Sequence, residues 1–263
     1  MATFTATLLE NERLAPKTFV LHLSGCEALR PGLPGQFVML RGEWGRDPLL
    51  PRAFSVMSVD DQGVCEILVK TVGRGTALLE SALPGARFEV LGPLGNPFPG
   101  PSADRVDWLV AGGVGLAPLL FQLERAAHRG PIAHTRLFYG GRGAADLVLL
   151  ARLAATGATI HLATDDGSCG AAGRVTELVE AKLAALTGPA PTLLACGPDP
   201  MLVALARIAR AQRLKTYLSL EGEMACGIGI CLGCAVPCAT RPYRYTCTDG
   251  PVLDLDELRG PYT

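Results

Sequence analysis

Five of the nine cysteines in this 263-residue chain fall between Cys226 and Cys247. Three of them follow a C-x4-C-x2-C pattern, Cys226, Cys231 and Cys234, and twelve residues separate the last from Cys247. This is close to the plant-type spacing of [2Fe–2S] sites, in which four thiolates converge on two irons. The small residues Gly227, Gly229 and Gly233 between the cysteines let such a loop curl. Backbone N–H groups freed by the curl can hydrogen-bond the sulfides and tune the potential. The competing readings are zinc and structural thiols. A zinc ribbon shows two C-x2-C pairs, and here only Cys231 and Cys234 have that spacing. Cys238 is a fifth thiol that could replace one of the four, but Pro237 and the short return from Cys234 make it a bystander.

Two further stretches have the chemistry of phosphate binding. Arg52-Ala53-Phe54-Ser55 stands at the start of a predicted strand, where an Arg can pair with a phosphate, a Ser can donate to it and an aromatic ring can lie against a flat group. Lys70 to Thr76 joins a strand to a short helix through Gly73 and Gly75. On one scaffold, these segments point to a diphosphate-bearing cofactor. Ala111 to Pro118, containing Gly112-Gly113-Val114-Gly115, links an apolar strand to a helix, the place where a dinucleotide pyrophosphate sits. It is not a G-x-G-x-x-G fingerprint, and a plain tight turn is the alternative. Cys196-Gly197-Pro198 ends a later strand at the same edge. Asp165 and Asp166 follow another; they would repel a ribose 2′-phosphate and accept from a 2′-hydroxyl, favouring NADH over NADPH. A turn role before Gly167 is the other reading of that pair.

These groups need a scaffold. Phe4 to Leu9, Thr18 to Leu23, Gln36 to Arg41, Phe54 to Val59, Val64 to Val72 and Arg87 to Leu91 read as short strands between Gly/Pro turns, with one helix from Thr76 to Leu83. That pattern predicts a small antiparallel barrel. Beyond the breaker-dense Gly95 to Pro101, the pattern changes to strand–helix alternation. Strands are expected at 107–111, 135–139, 159–163 and 192–196, with helices at 117–129, 144–155, 174–186 and 200–213. This predicts a parallel sheet with helices on both faces. A third unit begins near Glu221, in which Tyr243-Arg244-Tyr245 should be a short strand closing the cysteine site. The expected division is 1–98, 102–218 and 219–263.

Composition narrows the function. Lys and Arg number 24 against 25 Asp and Glu, a formal charge of -1, which argues against a nucleic-acid binder working by bulk electrostatics. The most apolar stretch, Trp108 to Leu123, is 16 residues long and broken by glycines and Pro118, short of the ~20 needed to cross a bilayer. No membrane segment is expected. The N-terminus lacks a basic stretch followed by an apolar core, and an odd cysteine count does not suit a disulfide framework. A cytoplasmic protein with reduced thiols is expected.

The order of these motifs resembles the ferredoxin–NADP reductase superfamily. More narrowly, it is similar to the electron-transfer subunits of type B dihydroorotate dehydrogenases. Arg52 to Ser55, Gly73 to Thr76, Gly92 to Asn96, Ala111 to Pro118, Asp165 to Ser168 and Cys196 to Pro198 carry the broader likeness. Glu221 to Cys234 with Cys247 to Val252 carry the narrower one. The resemblance implies FAD on the barrel, held by Arg52, Ala53, Phe54, Ser55, Leu68, Val69, Lys70, Gly75 and Thr76. It implies NADH on the second domain at Gly112, Gly113, Val114, Gly115 and Asp165, with hydride passing to FAD. A [2Fe–2S] cluster on Cys226, Cys231, Cys234 and Cys247 would then relay single electrons to FMN in a separate subunit that oxidises dihydroorotate to orotate in pyrimidine synthesis. The implied assembly is a heterotetramer, two of each subunit. Cys196, at its strand end, is expected to be the catalytic-site residue bordering the nicotinamide–flavin contact. Ala53 stands where the family motif more often has proline. The alternative is the NAD(P)H-linked flavin/iron–sulfur subunit of another complex: a bifurcating transhydrogenase, a hydrogenase or a sulfite reductase.

Overall fold

In the computed structural model, residues 1–102, 105–128 and 135–263 are described. The N-terminal strands are β1 (Ala2–Ala15), β2 (Thr18–Ser24), β3 (Phe37–Gly42), β4 (Arg52–Ser55), β5 (Ser58–Val59), β6 (Cys65–Lys70) and β7 (Arg87–Leu94), with helix α1 (Arg74–Glu80) before the last. They form a seven-stranded antiparallel sheet in the order β4-β3-β7-β1-β2-β6-β5. The predicted strand Phe54 to Val59 is two strands at opposite borders of that sheet. Between them, Val56 N donates to Gln36 O at 3.1 Å and Met57 N to Glu66 O at 3.0 Å. The segment thus curls the sheet into a barrel, and β4 lies at the seam. Leu8, Phe19, Leu21, Val38, Leu40, Ile67, Val69 and Phe88 fill the interior, where fully burying one Leu or Phe is worth about 1.5–3 kcal/mol.

Side chains alternate across a strand, and on β6 the alternation separates two interfaces. Cys65, Ile67 and Val69 enter the barrel core. Leu68 joins a different core, with Leu116, Leu119, Leu147 and Leu153 of the second domain.

That domain contains β8 (Asp107–Gly112), α2 (Leu116–Ala127), β9 (Arg136–Gly141), α3 (Leu150–Ala155), β10 (Thr159–Thr164), β11 (Ala171–Ala172), α4 (Val175–Ala184), β12 (Thr192–Cys196), α5 (Asp199–Ala211) and β13 (Thr216–Ser219). The predicted helix end at residue 129 lies outside the described residues. The sheet order is β11-β10-β9-β8-β12-β13-β16, where β16 is Val252–Asp254. The pairs are parallel except β13–β16, which is antiparallel. One face carries Val179, Leu183, Leu202 and Leu205 of α4 and α5; the other carries α2 and α3. Strand order reverses between β8 and β12, which places a ligand crevice at their C-terminal ends.

The expected helix 144–155 is a 3-10 turn over Ala144–Asp146 and α-helical only from Leu150. Tyr139 explains the difference: its hydroxyl donates to Asp146 O at 3.0 Å and accepts from Val148 N at 3.2 Å, and Leu149 adopts a left-handed φ of 61°. The turn is thereby tied to β9 rather than wound into the helix. The chain from 219 onward forms the hairpin β14 (Ala235–Pro237) and β15 (Tyr243–Tyr245), then returns through β16 to the second sheet. Leu255, Leu258 and Tyr262 pack into that domain's core. Among the described residues, no helix is long and apolar enough to cross a membrane.

Candidate functional site

A cleft of about 960 Å³ opens between the barrel and the second sheet. Arg52, Ala53, Phe54 and Ser55 line it from β4, and Leu68, Val69 and Lys70 from β6. Thr76 lines it from α1, Gly112 to Gly115 from the β8–α2 turn and Cys196 from the end of β12. Residues far apart in the chain, each read from a local motif, thus border one cleft. The volume lies within the range of roughly 300–1,000 Å³ typical of small-molecule sites.

Local structure explains several placements. The β8–α2 turn passes so close to β12 that a Cβ on Gly115 would stand 2.3 Å from Cys196 O; only glycine fits there. Arg52 donates through Nη1 to Leu50 O, and its guanidinium lies beside Gly75. The Thr76 hydroxyl works within its own turn, donating to Gly73 O at 2.9 Å and accepting from Val72 N at 2.9 Å. Lys70, on the cleft lining, has its Nζ 2.6 Å from Asp146 Oδ1. Burial, with Glu221 nearby, pushes the Cys196 thiol up to about 12, while Ser219 pulls the other way. Cys196 is therefore a neutral thiol at physiological pH and not a nucleophile.

The four expected sulfur ligands meet as two pairs. Cys226 Sγ is 3.4 Å from Cys231 Sγ, and Cys234 Sγ is 3.3 Å from Cys247 Sγ. Each pair is close enough to share one metal ion. Among the described residues, no three metal-binding side chains converge on one point. Two pairs suit a binuclear centre with two thiolates on each iron; a single tetrahedral zinc needs all four together. Although burial opposes ionisation, the N–H groups of Cys231 and Ile228 hold the Cys226 thiol down at about 6, which supplies a thiolate at neutral pH. Cys238 lies apart. It is buried in the second domain's core, and its Sγ faces Val236 O at 3.6 Å.

The loop carrying the thiols rests on the barrel. Phe37, Met39 and Leu94 form one apolar cluster with Cys234 and Cys247, and Ala53 packs against it. Ala53, on β4, pairs with Met39 of β3. The cleft strand β4 thus touches the thiol cluster directly through Ala53, and Cys231 reaches the cleft wall itself. Asn96 fastens the far side, with Nδ2 donating to Asp249 O at 2.7 Å.

Asp165 stands outside the cleft lining, exposed at the end of β10. Its neighbour Asp166 takes the turn role, accepting from Ser168 N at 2.9 Å and from Ser168 Oγ at 2.5 Å. Sequence reading missed Ser219 to Ala225, which form the third wall of the cleft. There, burial and the nearby Asp199 raise the Glu221 carboxyl. Nothing in Ser-Leu-Glu-Gly-Glu marks a wall; only its place directly before the cysteine loop was a signal.

Known proteins share this arrangement. Residues 221–259 match the family described as the iron–sulfur cluster binding domain of dihydroorotate dehydrogenase B. Residues 109–207 match an oxidoreductase NAD-binding domain, and residues 6–98 an oxidoreductase FAD-binding domain. The chain is 40% identical over 258 residues to the dihydroorotate dehydrogenase B (NAD(+)) electron transfer subunit of Geobacillus thermodenitrificans, covering 96% of each. It is 41% identical over 258 residues to that of Bacillus caldolyticus, again covering 96% of each. Among solved structures, it is similar to an NADH-dependent reduced ferredoxin-NADP oxidoreductase studied for flavin-based electron bifurcation. The TM-score is 0.83 at 25% identity, over 97% of this chain and 89% of the other. An Amycolatopsis cytochrome P450 reductase matches at TM-score 0.68 and 28% identity, over 81% of this chain and 67% of the other.

Proposed function

The chain belongs to the family of electron-transfer subunits of dihydroorotate dehydrogenase B (NAD(+)), and from that membership we propose that it links a nicotinamide dinucleotide to the FMN of a separate catalytic subunit in pyrimidine synthesis. FAD and a [2Fe–2S] cluster, when bound, supply the exchange between a two-electron hydride carrier and one-electron transfer. The relay serves both directions. When dihydroorotate is oxidised, its two electrons would arrive from the partner and, with one proton, leave as hydride on NAD+.

The observation that carries the proposal is the joint wall of the cleft: the β4 strand, the β8–α2 turn, Cys196 and Cys231 all border one space. In this reading, Arg52 and Ser55 hold the flavin diphosphate. Phe54, Leu68, Val69, Lys70, Gly75 and Thr76 shape the pocket around it. Gly112 to Gly115 receive the dinucleotide pyrophosphate, and Asp165 accepts from its ribose, favouring NAD over NADP. Cys196 excludes water where nicotinamide and flavin meet. Cys226 with Cys231 and Cys234 with Cys247 hold the two irons.

Electrons must pass between the cluster and the partner. Around the thiol loop, Ile228, Ile230, Leu232 and Tyr243 are 37%, 76%, 53% and 55% exposed. Apolar and aromatic residues at the centre of a patch suit an interface core. This face is assigned to the FMN subunit, in an assembly of two subunits of each kind. Nine free cysteines suit the reducing cytoplasm.

Anaerobic visible and EPR spectra before and after NADH test the reading. Flavin bleaching and a reduced-cluster signal are expected. A colourless chain carrying zinc would overturn the assignment. The similarity to a bifurcating oxidoreductase favours one second reading, a reductase subunit of such a complex. Dihydroorotate-dependent NAD reduction by the chain together with the FMN subunit separates the two.

A further inference from the structure

We infer that β6 fixes the angle between the two cofactor-bearing domains through two ion pairs, Glu66–Arg152 and Lys70–Asp146, and that Arg152 and Asp146 are positioning residues for hydride transfer. The inference rests on the nicotinamide–flavin reading above and goes beyond it in assigning a role to Glu66, Asp146 and Arg152, which lie outside the cofactor walls.

Glu66 and Lys70 lie on the face of β6 that also carries Leu68. On a strand, residues four apart are about 13 Å apart, so the ion pairs flank the apolar contact of Leu68 at two separate points. Arg152 of α3 donates through Nη1 to Glu66 Oε2 at 2.6 Å. The other edge of its guanidinium grips Glu124 of α2, with Nε at 2.5 Å and Nη2 at 3.0 Å. Ser58 Oγ donates to the same Glu66 oxygen at 2.6 Å, and His22 Nδ1 stands 3.4 Å from the second. At the cleft end, Asp146 accepts from Lys70 through one oxygen. The other accepts from Arg142, with N at 3.1 Å and Nε at 3.2 Å. The Tyr139 hydroxyl holds the Asp146 carbonyl in place.

The side chains of Glu66, Arg152, Lys70 and Asp146 are 18%, 29%, 26% and 19% exposed, which shields them from salt more than surface pairs. One contact would leave the domains free to swivel; two contacts on a stiff strand do not. Hydride transfer needs this restraint. The second domain carries the nicotinamide and the barrel carries the flavin, so the domain angle sets their approach. Reacting atoms must come within about 3–3.5 Å, and a shift of about 1 Å can cost a hundredfold in rate.

The test uses the full chain, loaded with flavin and cluster, as Glu66→Gln, Asp146→Asn and the double variant. Anaerobic stopped-flow mixing with NADH should show the limiting rate of flavin bleaching falling about tenfold in each single variant and further in the double. The NADH dissociation constant, flavin content and cluster EPR signal should stay at wild-type values. If Glu66→Gln does not fold, Glu66→Asp takes its place with an intermediate rate. Unchanged limiting rates with only a lowered Tm would overturn the inference, as would rate losses matched by flavin loss. A wild-type chain that NADH does not bleach would instead overturn the reading beneath it.

Discussion

Gly227 and Met39 meet with no room for another carbon: a Cβ on Gly227 would stand 2.5 Å from Met39 Cγ. Gly227 also has a φ of +72°, which costs an L-residue about 1–2 kcal/mol. The thiol loop is seated on the barrel through this contact. Gly227→Ala should lower Tm and reduce iron per chain while flavin content holds. Iron and flavin assays on the same preparation check this, and full iron occupancy would show that the seat is not needed.

The two classes of cysteine should separate cleanly. Cys247→Ser removes one member of a sulfur pair and should abolish the cluster's visible band and EPR signal. Cys238→Ala should keep both, with a stability loss of about 1 kcal/mol for a small core cavity. Iron analysis and thermal melts distinguish them; iron loss in Cys238→Ala would make it a ligand.

Much of this was legible in the sequence, and the exceptions share a physical cause. Cys226, Cys231 and Cys234 stand out in the sequence because a metal site would impose such a local spacing. The strand Thr192–Cys196 was readable as a compact apolar run. The strands Thr216–Ser219 and Val252–Asp254 were not, since four and three residues hold no period. The Lys70–Asp146 pair spans 76 residues, and nothing local to either side chain announces the other. The split of 54–59 into two strands is likewise set by barrel closure, which no short window contains.

Cys196 predicts a pH dependence. Its folded-state value near 12 lies above the ordinary 9.0. The folded chain keeps a proton that the unfolded chain releases, so the stabilisation is complete below about pH 9 and is lost as pH rises toward about 12. Cys196→Ala should therefore show a shallower fall of Tm over that alkaline range, measured calorimetrically beside the wild type. At neutral pH, the same variant should slow flavin reduction by NADH about tenfold with the cluster spectrum intact. Unchanged hydride-transfer kinetics would remove Cys196 from the site.

Ile230 should matter only to docking. Ile230→Asp places a charge on the most exposed apolar residue of the thiol loop, where desolvating it on docking is costly. Affinity for the FMN subunit should drop tenfold or more, about 1.4 kcal/mol, with NADH-driven flavin bleaching unchanged. Titration calorimetry against the partner checks this; an unaltered affinity would move the docking face elsewhere.

Val252–Asp254, which hems the second sheet along β13, begins at the fifth residue after Cys247. Ligand and hem are stitched from one short thread. Releasing the iron slackens both, and a bared row of N–H and C=O groups on β13 would then invite a neighbouring chain to adhere. Deprived of iron, the protein should grow sticky before it unfolds.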